Sequence, residues 1–444
     1  MSARRVLTGM IVSASMIALS SCSLQSPTVP TDALSPTPSL STPAVPSSTV
    51  ESSPPEPILP DPDKLAKKVQ KVSSSGLGST SVVILDPDGE VLFSSKNKPM
   101  VPASAIKILT TMATIDTLGP TTTFQTKVVR SGKGVVLVGG GDPLLVGKKS
   151  KSAAKPANMN DLVAQTVAQL KLSGTKSVVL GYDDSLFSGP QWSPSWKSSW
   201  KPNTPRISAL MVDSGAVSTY VAAPDPAKHA AETFAKKLKA KGIKVSRIRK
   251  EKAKADAEQL AVVTSAPLET VVNYTMRYSH NVSAEVMLRH LALATGGKPS
   301  FDGGSKALTA WLKANQLWES KMVMDGGSGL SMKVKVSALV LAKAIRLAQA
   351  EQRYAPVLSG LPTAGKNGTL KKRFNDKSEK AGVGVVHAKT GTLRDVAALV
   401  GWLTTSDGAT LSFAAITNDT KGQRAKAYNW LDRTAAAIAS CGCS

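Results

Sequence analysis

The chain has 444 residues, of which 42% are hydrophobic, and 55 Lys and Arg against 31 Asp and Glu give it a formal net charge of +24. This apolar fraction is ordinary for a folded chain. The charge, with lysine clusters at 148–155, 236–254 and 371–380, raises a nucleic-acid hypothesis, but the sequence lacks a basic platform interleaved with aromatic residues. We therefore expect no nucleic-acid partner. Solvated surfaces account for the clusters most simply, and anionic wall polymers or lipid head groups are the alternative partners.

The first 22 residues have the pattern of a bacterial lipoprotein signal. Arg4 and Arg5 precede an apolar run over about residues 6–19, which is too short to span a bilayer as a mature helix. The run ends in Leu-Ser-Ser-Cys, which resembles a lipobox, so the sequence predicts lipidation at Cys22. We expect export and a lipid anchor on the outer face of the cytoplasmic membrane, facing the cell wall. An ordinary signal peptide with a chance cysteine is the alternative.

Residues 23–60 form a segment of strongly biased composition. Ten of its 38 residues are Pro and fourteen are Ser or Thr, and it contains no Lys or Arg. Such a segment cannot bury enough apolar surface to offset the entropy lost on ordering. The composition therefore predicts a disordered stalk between the anchor and a globular body.

A first globular part is predicted over residues 61–119. A short helix is expected at 64–72, and two strands within 79–95 flank the turn Asp86-Pro87-Asp88-Gly89, which is strong hairpin chemistry. A further helix is expected to begin near Ser104, because apolar residues recur at helical spacing from Ile106 to Ile115.

The block at 120–262 is predicted to be a separate inserted α/β domain. Strands are expected within 121–140 and at 176–181, and helices at 160–173 and 230–242. The glycine-rich stretch LVGGGDPLL matches neither a Walker loop nor a dinucleotide fingerprint, so a tight turn is the better interpretation. A tryptophan-rich loop follows at 191–202.

Residues 263–444 are predicted to complete the first domain. Two helices within 267–297 are interrupted at Ser279-His280-Asn281, consecutive antiparallel strands are expected at 384–405 and 409–419, and a helix at 424–440 ends the fold. Strands at both ends of the chain with helices between them indicate an α+β domain that is split by the insertion. Cys441 and Cys443 suggest a disulfide, either with each other or between molecules.

Three short motifs stand in order along this domain: Ser104-Ala105-Ile106-Lys107, Ser279-His280-Asn281 and Lys389-Thr390-Gly391. The first type alone is weak, because Ser-x-x-Lys begins at Ser95, Ser104, Ser152, Ser173 and Ser198. Only the second of these is expected to open a helix. Motifs of these three kinds occur together in serine penicillin-binding proteins and β-lactamases.

The spacing within the first motif carries the chemistry. Positions i and i+3 share a helix face, so Lys107 can approach the Ser104 hydroxyl and take its proton if the amine is neutral. Lys389 can supply the nearby positive charge that keeps it neutral, or it can bind a substrate carboxylate. Ser279 can relay a proton and Asn281 can donate to a carbonyl. The backbone amides of Ser104 and Thr392 are the expected oxyanion donors.

With these motifs, the sequence resembles the class C penicillin-binding D-alanyl-D-alanine carboxypeptidases and endopeptidases. The resemblance covers nearly everything after about residue 75. It extends to LVGGGDPLL (137–145), YDDSLFSGPQWSPSW (182–196), ISALMVDSGAV (207–217), DGGSGLS (325–331), LPTAGKNGTLKKR (361–373) and AKTGTL (388–393). It implies a transpeptidase/β-lactamase-like domain, an antiparallel sheet with an all-helical region and the site between them.

The resemblance also implies a serine-type carboxypeptidase, with endopeptidase action left open, on peptidoglycan stem peptides. In this interpretation Ser104 forms the acyl-enzyme, Lys107 is the base, and Ser279 and Asn281 position substrate and shuttle protons. Lys389, Thr390, Gly391 and Thr392 bind the substrate carboxylate and the oxyanion. β-Lactams are the expected inhibitors, and no metal or organic cofactor is implied.

Alternatives remain at several positions. His280 stands where an acidic or amide residue is usual in this family; its side chain either points away or tunes the site with pH. His387 shares a strand face with Lys389, and a structural role is favoured for it. Asp325 and Ser328 either line the cleft or form a turn. A β-lactamase and an inactive wall-binding lipoprotein on the same scaffold are the competing functions.

Overall fold

The computed structural model describes residues 58–148, 150, 152, 154–202 and 204–443. The predicted signal sequence, the lipidation site Cys22 and the stalk up to residue 57 lie outside these residues. The described helices are α1 (Pro62–Gln70), α2 (Lys107–Leu118), α3 (Met159–Leu172), α4 (Pro226–Ala240), α5 (Leu268–Tyr278), α6 (Asn281–Ala294), α7 (Phe301–Ala314), α8 (Ala338–Ala350), α9 (Ala355–Ser359) and α10 (Arg424–Ala439).

Strands from both ends of the described chain form one antiparallel sheet. Strands from its middle form a second sheet, which is mixed. The strands are β1 (Ser79–Leu85), β2 (Val91–Ser95), β3 (Gln125–Ser131), β4 (Gly134–Val138), β5 (Ser177–Asp183), β6 (Ala216–Ser218), β7 (Val221–Ala222), β8 (Lys244–Lys250), β9 (Gln259–Thr264), β10 (Val386–Leu393), β11 (Val396–Thr404) and β12 (Thr410–Asn418). The first sheet, here called the central sheet, has the order β10-β11-β12-β1-β2, so β1 lies beside the last strand and β10 lies at an edge.

The two faces of the central sheet are covered by different helices. Alternate residues of β11, such as Ala398 and Val400, pack in a core with α2 and α5 to α9. Their neighbours Ala397 and Leu399 pack in a second core with α1 and α10. This separation follows from the period of two along a strand, and it places the helical region on the β11 face that carries Val400.

The second sheet has the order β8-β5-β4-β3-β9. Strands β8, β5 and β4 run parallel to one another, and β3 and β9 extend the sheet antiparallel. Helices α3 and α4 connect the parallel strands and pack on the sheet around Leu180 and Phe234. The alternation of strand and helix in this region is the pattern expected of an α/β unit. Its designation as a domain bounded at 120 and 262 stays a prediction.

Local chemistry explains most element boundaries. Asp61 caps α1 by accepting a hydrogen bond from the Lys64 amide, with Pro62 in the first turn. In the β1–β2 hairpin the Asp86 carboxylate accepts from the amides of Asp88 and Glu90, and Gly89 takes a φ of +93°. These are the turn residues that the sequence predicted.

Some elements differ from the predictions. The segment 384–405 forms two strands, β10 and β11, with a tight turn at Arg394 and Asp395. No prediction covered α7, whose first turn holds Gly303 and Gly304, residues that lower helix propensity. Gly304 is required by packing, because a Cβ built there would lie 2.5 Å from Leu288 Cγ on α6. Among the described residues, no helix combines the length and apolar character needed to cross a membrane.

The two terminal cysteines are bonded to each other, which is one of the two pairings that the sequence left open. Cys441 and Cys443 form a disulfide directly after α10, and both side chains are buried in the core shared by α1 and α10. The Cys443 carbonyl accepts a hydrogen bond of 2.9 Å from the amide of Asp61. The chain end is thereby fastened to the beginning of α1.

Candidate active site

Ser104 lies in a short 3-10 turn, Ala103–Ile106, that leads directly into α2. The residue before it, Ala103, has a φ of +46°, a left-handed conformation that is uncommon for a residue with a Cβ. Gly329 crosses closely behind, since a Cβ there would lie 2.0 Å from the Ala103 carbonyl oxygen. The backbone around Ser104 is therefore tightly packed at the sharp turn into α2. The Ser104 side chain itself is partly exposed.

Lys107 is one turn further along and fully buried. Its Nζ donates to Ser104 Oγ at 2.8 Å, to Asn281 Oδ1 at 2.8 Å and to the carbonyl oxygen of Ser328. Burial lowers the pKa of Lys107 to about 7, against the opposing charge of Glu285. A lysine with this pKa is substantially neutral near physiological pH, and its neutral amine lies within hydrogen-bond reach of the serine hydroxyl.

Glu285, on α6, supplies the negative charge that opposes the lowering of the Lys107 pKa. The sequence analysis did not identify Glu285 as a residue of the site. Its carboxylate is fully buried and accepts hydrogen bonds from the amides of Gly327, at 3.1 Å, and Ser328, at 2.9 Å. These contacts hold the loop whose Ser328 carbonyl oxygen binds Lys107. Glu285 follows Asn281 by one helical turn, and a lone carboxylate in an apolar helical run was the available signal.

We expect Glu285→Gln to move the pH dependence of acylation. Removing the negative charge lowers the pKa of Lys107 further, so the acidic limb of kcat/KM should shift toward lower pH, by about 1 unit. The measurement is a pH–rate profile of penicillin acylation. Glu232→Gln, which changes an exposed carboxylate on α4, serves as the matched control. If Glu285→Gln lowers the acylation rate equally at all pH values and leaves the acidic limb in place, then Glu285 acts only by holding the loop that contains Ser328.

Ser279 and Lys389 form a second linked pair. Ser279 ends α5 in a left-handed conformation, with φ +56°, and its Oγ accepts a hydrogen bond of 2.8 Å from Lys389 Nζ. The Lys389 ammonium also donates to the Thr390 carbonyl oxygen at 2.9 Å. Burial and then the charge of Lys107 hold the pKa of Lys389 well below its usual range. Among the described residues no carboxylate pairs with Lys389, and an anionic substrate can provide that negative charge.

Strand β10 carries the third motif along an edge. Gly391 lets the strand approach the turn at Ser104, because a Cβ there would lie 2.3 Å from the Pro102 carbonyl oxygen. The amide of Ala388 donates away from β11, to Pro362 at 2.9 Å. By strand alternation, the amides of Thr390 and Thr392 also point off the edge. The Thr392 amide, which the sequence analysis expects to be an oxyanion donor, therefore points off this edge.

The side chains of Thr390 and Thr392 lie on the sheet face opposite to that of the Lys389 side chain. Lys389 pairs with Val400 and shares its sheet face, whereas Thr390 and Thr392 lie on the face that packs on α10. Accordingly, Thr390 Oγ1 contacts Thr369 Oγ1 at 2.8 Å, and Thr392 Oγ1 contacts the Tyr428 hydroxyl at 2.9 Å. The sequence analysis assigned both threonines to substrate binding without distinguishing the side chain from the backbone. Both hydroxyls lie on the sheet face opposite to that of Lys389.

The two histidines near the motifs have structural partners. His280 Nδ1 caps α6, 3.3 Å from the Ser283 amide and 2.7 Å from its hydroxyl oxygen. Burial, with the charge of Lys107, lowers the pKa of His280 to about 4, so it stays neutral at physiological pH. His387 stacks on Trp402 with ring centroids 4.2 Å apart. In the part of the chain that the structure describes, neither ring is hydrogen-bonded to Ser104, Lys107, Ser279 or Lys389.

Asp325 and Ser328 lie in the same loop but have different hydrogen-bond partners. Asp325 Oδ2 accepts a hydrogen bond of 2.5 Å from Ser331 Oγ, a contact within its own loop. Ser328 is fully buried, and its carbonyl oxygen accepts from both Lys107 Nζ and Ser104 Oγ, the latter at 3.3 Å. The loop thus contributes a backbone acceptor to the site.

An open hollow of about 410 Å³ lies beside the second motif. Ser279, His280 and Asn281 line one side, and the short β6–β7 hairpin with the turn before it lines the other. Tyr278, at the lip, is 60% exposed. The partly exposed Asn281 therefore faces a space that a substrate peptide can enter.

A serine bonded to a buried lysine amine, beside a second buried lysine and an edge strand, is the arrangement of a serine-type acyl-transfer enzyme. The profile of the D-Ala-D-Ala carboxypeptidase 3 (S13) family matches residues 63–224 and 216–437. The chain belongs to the D-Ala-D-Ala carboxypeptidase 3 (S13) family. The predicted family, and with it the predicted class of enzyme, is confirmed.

Curated relatives agree with this membership. A carboxypeptidase of Mycobacterium tuberculosis is 35% identical over 368 residues, which is 78% of this chain and 76% of that protein. Carboxypeptidase DacB of Mycolicibacterium smegmatis is 30% identical over 387 residues, 83% of this chain and 81% of that protein.

Solved structures share the fold. Penicillin-binding protein 4 of Haemophilus influenzae aligns with a TM-score of 0.70 at 19% identity, over 83% of this chain and 97% of that one. A predatory endopeptidase of Bdellovibrio bacteriovorus aligns with a TM-score of 0.53 at 18% identity, over 81% of this chain and 93% of that one. The α+β fold predicted from the sequence is confirmed.

Proposed function

We propose that the protein cleaves the terminal D-Ala–D-Ala bond of peptidoglycan stem peptides through an acyl-enzyme on Ser104. The single observation that carries this proposal is the 2.8 Å contact between Lys107 Nζ and Ser104 Oγ, with a Lys107 pKa of about 7. A base of that pKa accepts the hydroxyl proton near neutral pH. The intact network around it argues against the alternative of an inactive wall-binding lipoprotein.

In the acylation step, Ser104 Oγ attacks the carbonyl carbon of the penultimate D-Ala, and its proton passes to Lys107. The amides of Ser104 and Thr392 stabilise the developing oxyanion. The peptide bond then breaks, and the departing amine takes the proton from Lys107 through Ser279. The Ser279 hydroxyl is suited to this relay because its oxygen already accepts from Lys389, which leaves its own hydrogen to donate.

Deacylation reverses the roles. Water attacks the acyl carbonyl, its proton passes to Lys107, and Lys107 returns that proton to Ser104 as the ester bond breaks. Asn281 is held by Lys107 through Oδ1, so its amide NH₂ group remains to donate to a substrate carbonyl. No metal or cofactor takes part in these steps.

Lys389 is proposed to bind the terminal carboxylate of the substrate. Its pKa is depressed by burial, and an entering carboxylate raises it again by supplying the missing negative charge. Thr390, Gly391 and Thr392 complete this side of the cleft with backbone groups on the β10 edge. The same geometry accepts a β-lactam, whose carboxylate and reactive carbonyl follow the D-Ala–D-Ala end, so we propose β-lactams as inhibitors.

The enzyme is exported, since its proposed substrate lies outside the cytoplasm. We further propose that Cys22 is lipidated and tethers the body to the outer face of the membrane through the stalk at 23–60. The support is the Leu-Ser-Ser-Cys sequence after the apolar run.

The proposed function is tested with the purified wild-type chain. It should release D-alanine from a peptide ending in D-Ala-D-Ala, and a penicillin adduct should map by mass spectrometry to the peptide that contains Ser104. Conversion of cross-linked dimers into monomers, followed by chromatography, measures endopeptidase action in a parallel assay. An adduct on another residue, or no D-alanine release, would refute the assignment.

A further inference from the structure

A basic pocket of about 740 Å³ lies between α1 and α10. Its lining includes four cationic side chains: Lys68, Lys71, Lys426 and Arg433. The remaining lining residues are apolar or carry hydroxyl and amide groups, and none of those in the described chain is acidic. Because α1 and α10 cover the sheet face opposite to α2, this pocket is distinct from the site at Ser104.

The charges in this pocket are only slightly compensated. Lys71 and Lys426 are exposed, and neither makes an ion pair within the described residues. Lys68 Nζ donates to the carbonyl oxygen of Ser440, a neutral partner that leaves its charge intact. Arg433 has an exposed ion pair with Asp376 at 3.4 Å, a type of contact that contributes little. The pocket is therefore a focus of positive potential with little internal counter-charge.

The pocket walls are fixed to each other at both ends. At one end the Asp61 amide bonds to the Cys443 carbonyl, next to the terminal disulfide. At the other end the loop after α1 is held against α10, where Gln423 Nε2 donates to the Gly76 carbonyl oxygen at 3.3 Å. A Cβ built at Gly76 would lie 2.9 Å from Lys426 Nζ, so this ammonium group lies directly over that loop. The cations thus line a preformed concave site.

Ammonium groups, one guanidinium and several hydroxyls without a carboxylate suit an anion that presents several oxygen atoms. We infer that this pocket binds a phosphate or phosphodiester group, carried either by an anionic wall polymer or by a lipid head group. A ligand bound there would engage the sheet face that Ser104 does not use, so catalysis and binding can occur together.

The test compares two charge-matched double variants in a Cys22→Ser chain, which cannot be acylated at that position. Lys71→Glu with Lys426→Glu alters the pocket. Lys171→Glu with Lys176→Glu makes the same charge change at exposed positions on and after α3. The probes are inorganic phosphate, an oligo(glycerol phosphate), and phosphatidylcholine vesicles that contain phosphatidylglycerol. Unchanged D-alanine release and melting temperature establish that each variant is folded.

We expect the pocket variant to bind the oligomer or the vesicles about tenfold more weakly or worse, and the control variant to bind within about twofold of the parent. Pocket-dependent binding of the oligomer identifies a polymer phosphate, and pocket-dependent binding of vesicles identifies a lipid phosphate. Equal weakening in both variants, which would indicate general charge attraction, overturns the proposal. Absence of binding by the parent chain to all three probes overturns it as well.

Discussion

Ser104→Ala should reduce D-alanine release by about 10⁴-fold or more and abolish covalent labelling by a fluorescent penicillin. The reason is chemical, because alanine offers no oxygen for the ester bond and the other groups of the site act only through that oxygen. The fold should survive, since Ser104 Oγ bonds only to Lys107 Nζ and the Ser328 carbonyl in the described residues. D-Alanine release, gel fluorescence and melting temperature together measure the effect.

Ser198→Ala provides the matched control. Ser198 also begins a Ser-x-x-Lys sequence, but it lies exposed in the tryptophan-rich loop. This variant should label and turn over as the wild type does. Labelling of Ser104→Ala at the wild-type level would assign the nucleophile elsewhere and remove the basis of the proposed mechanism.

Lys107 substitution is expected to have the second-largest effect. Lys107→Met and Lys107→Arg should each lower kcat/KM for acylation by about 10²–10⁴-fold, the usual contribution of a general base. Methionine removes the amine, whereas arginine keeps a positive charge but has no accessible neutral form. Comparable losses in both variants would indicate that a neutral base is needed rather than a cation.

The wild-type pH profile supports the same test. Lys107 is protonated below its pKa of about 7 and cannot accept the serine proton there. The rate should therefore fall as pH drops through about 7 and level off above it. This acidic limb should be missing from any residual activity of Lys107→Met. Near-normal acylation by Lys107→Arg would contradict the role of Lys107 as base.

The sequence predicted the centre of this site because its chemistry is local. Ser104 and Lys107 are three residues apart, and a helix alone brings them onto one face. The break at Ser279-His280-Asn281 and the strand at Lys389 were also predicted from local patterns. Their approach to Ser104 is a tertiary fact, and before the structure only the family resemblance implied it.

Other features were missed for identifiable reasons. Glu285 is a single carboxylate in a largely apolar helix, and its sequence context indicates no partner for it. Its partners are the amides of Gly327 and Ser328, which lie 42 and 43 residues further along the chain. Strand alternation was applied to His387 and Lys389 but not to Thr390 and Thr392, although it separates their side chains from Lys389 in the same way. The lysine-rich block at 236–254 hid β8, whose residues are exposed or partly exposed and give no burial signal.

The order of strands in the central sheet bears on how the chain matures. Strand β1 sits between β2 and β12, and the Thr417 hydroxyl bonds to the Leu77 carbonyl across 340 residues of sequence. A chain threaded through a translocation channel from its N-terminus has to deliver almost its whole length before that pairing can close. Ser104 emerges early, whereas β10, which approaches the turn that carries Ser104, emerges late. We therefore expect nascent or truncated chains that lack β10 to be inactive.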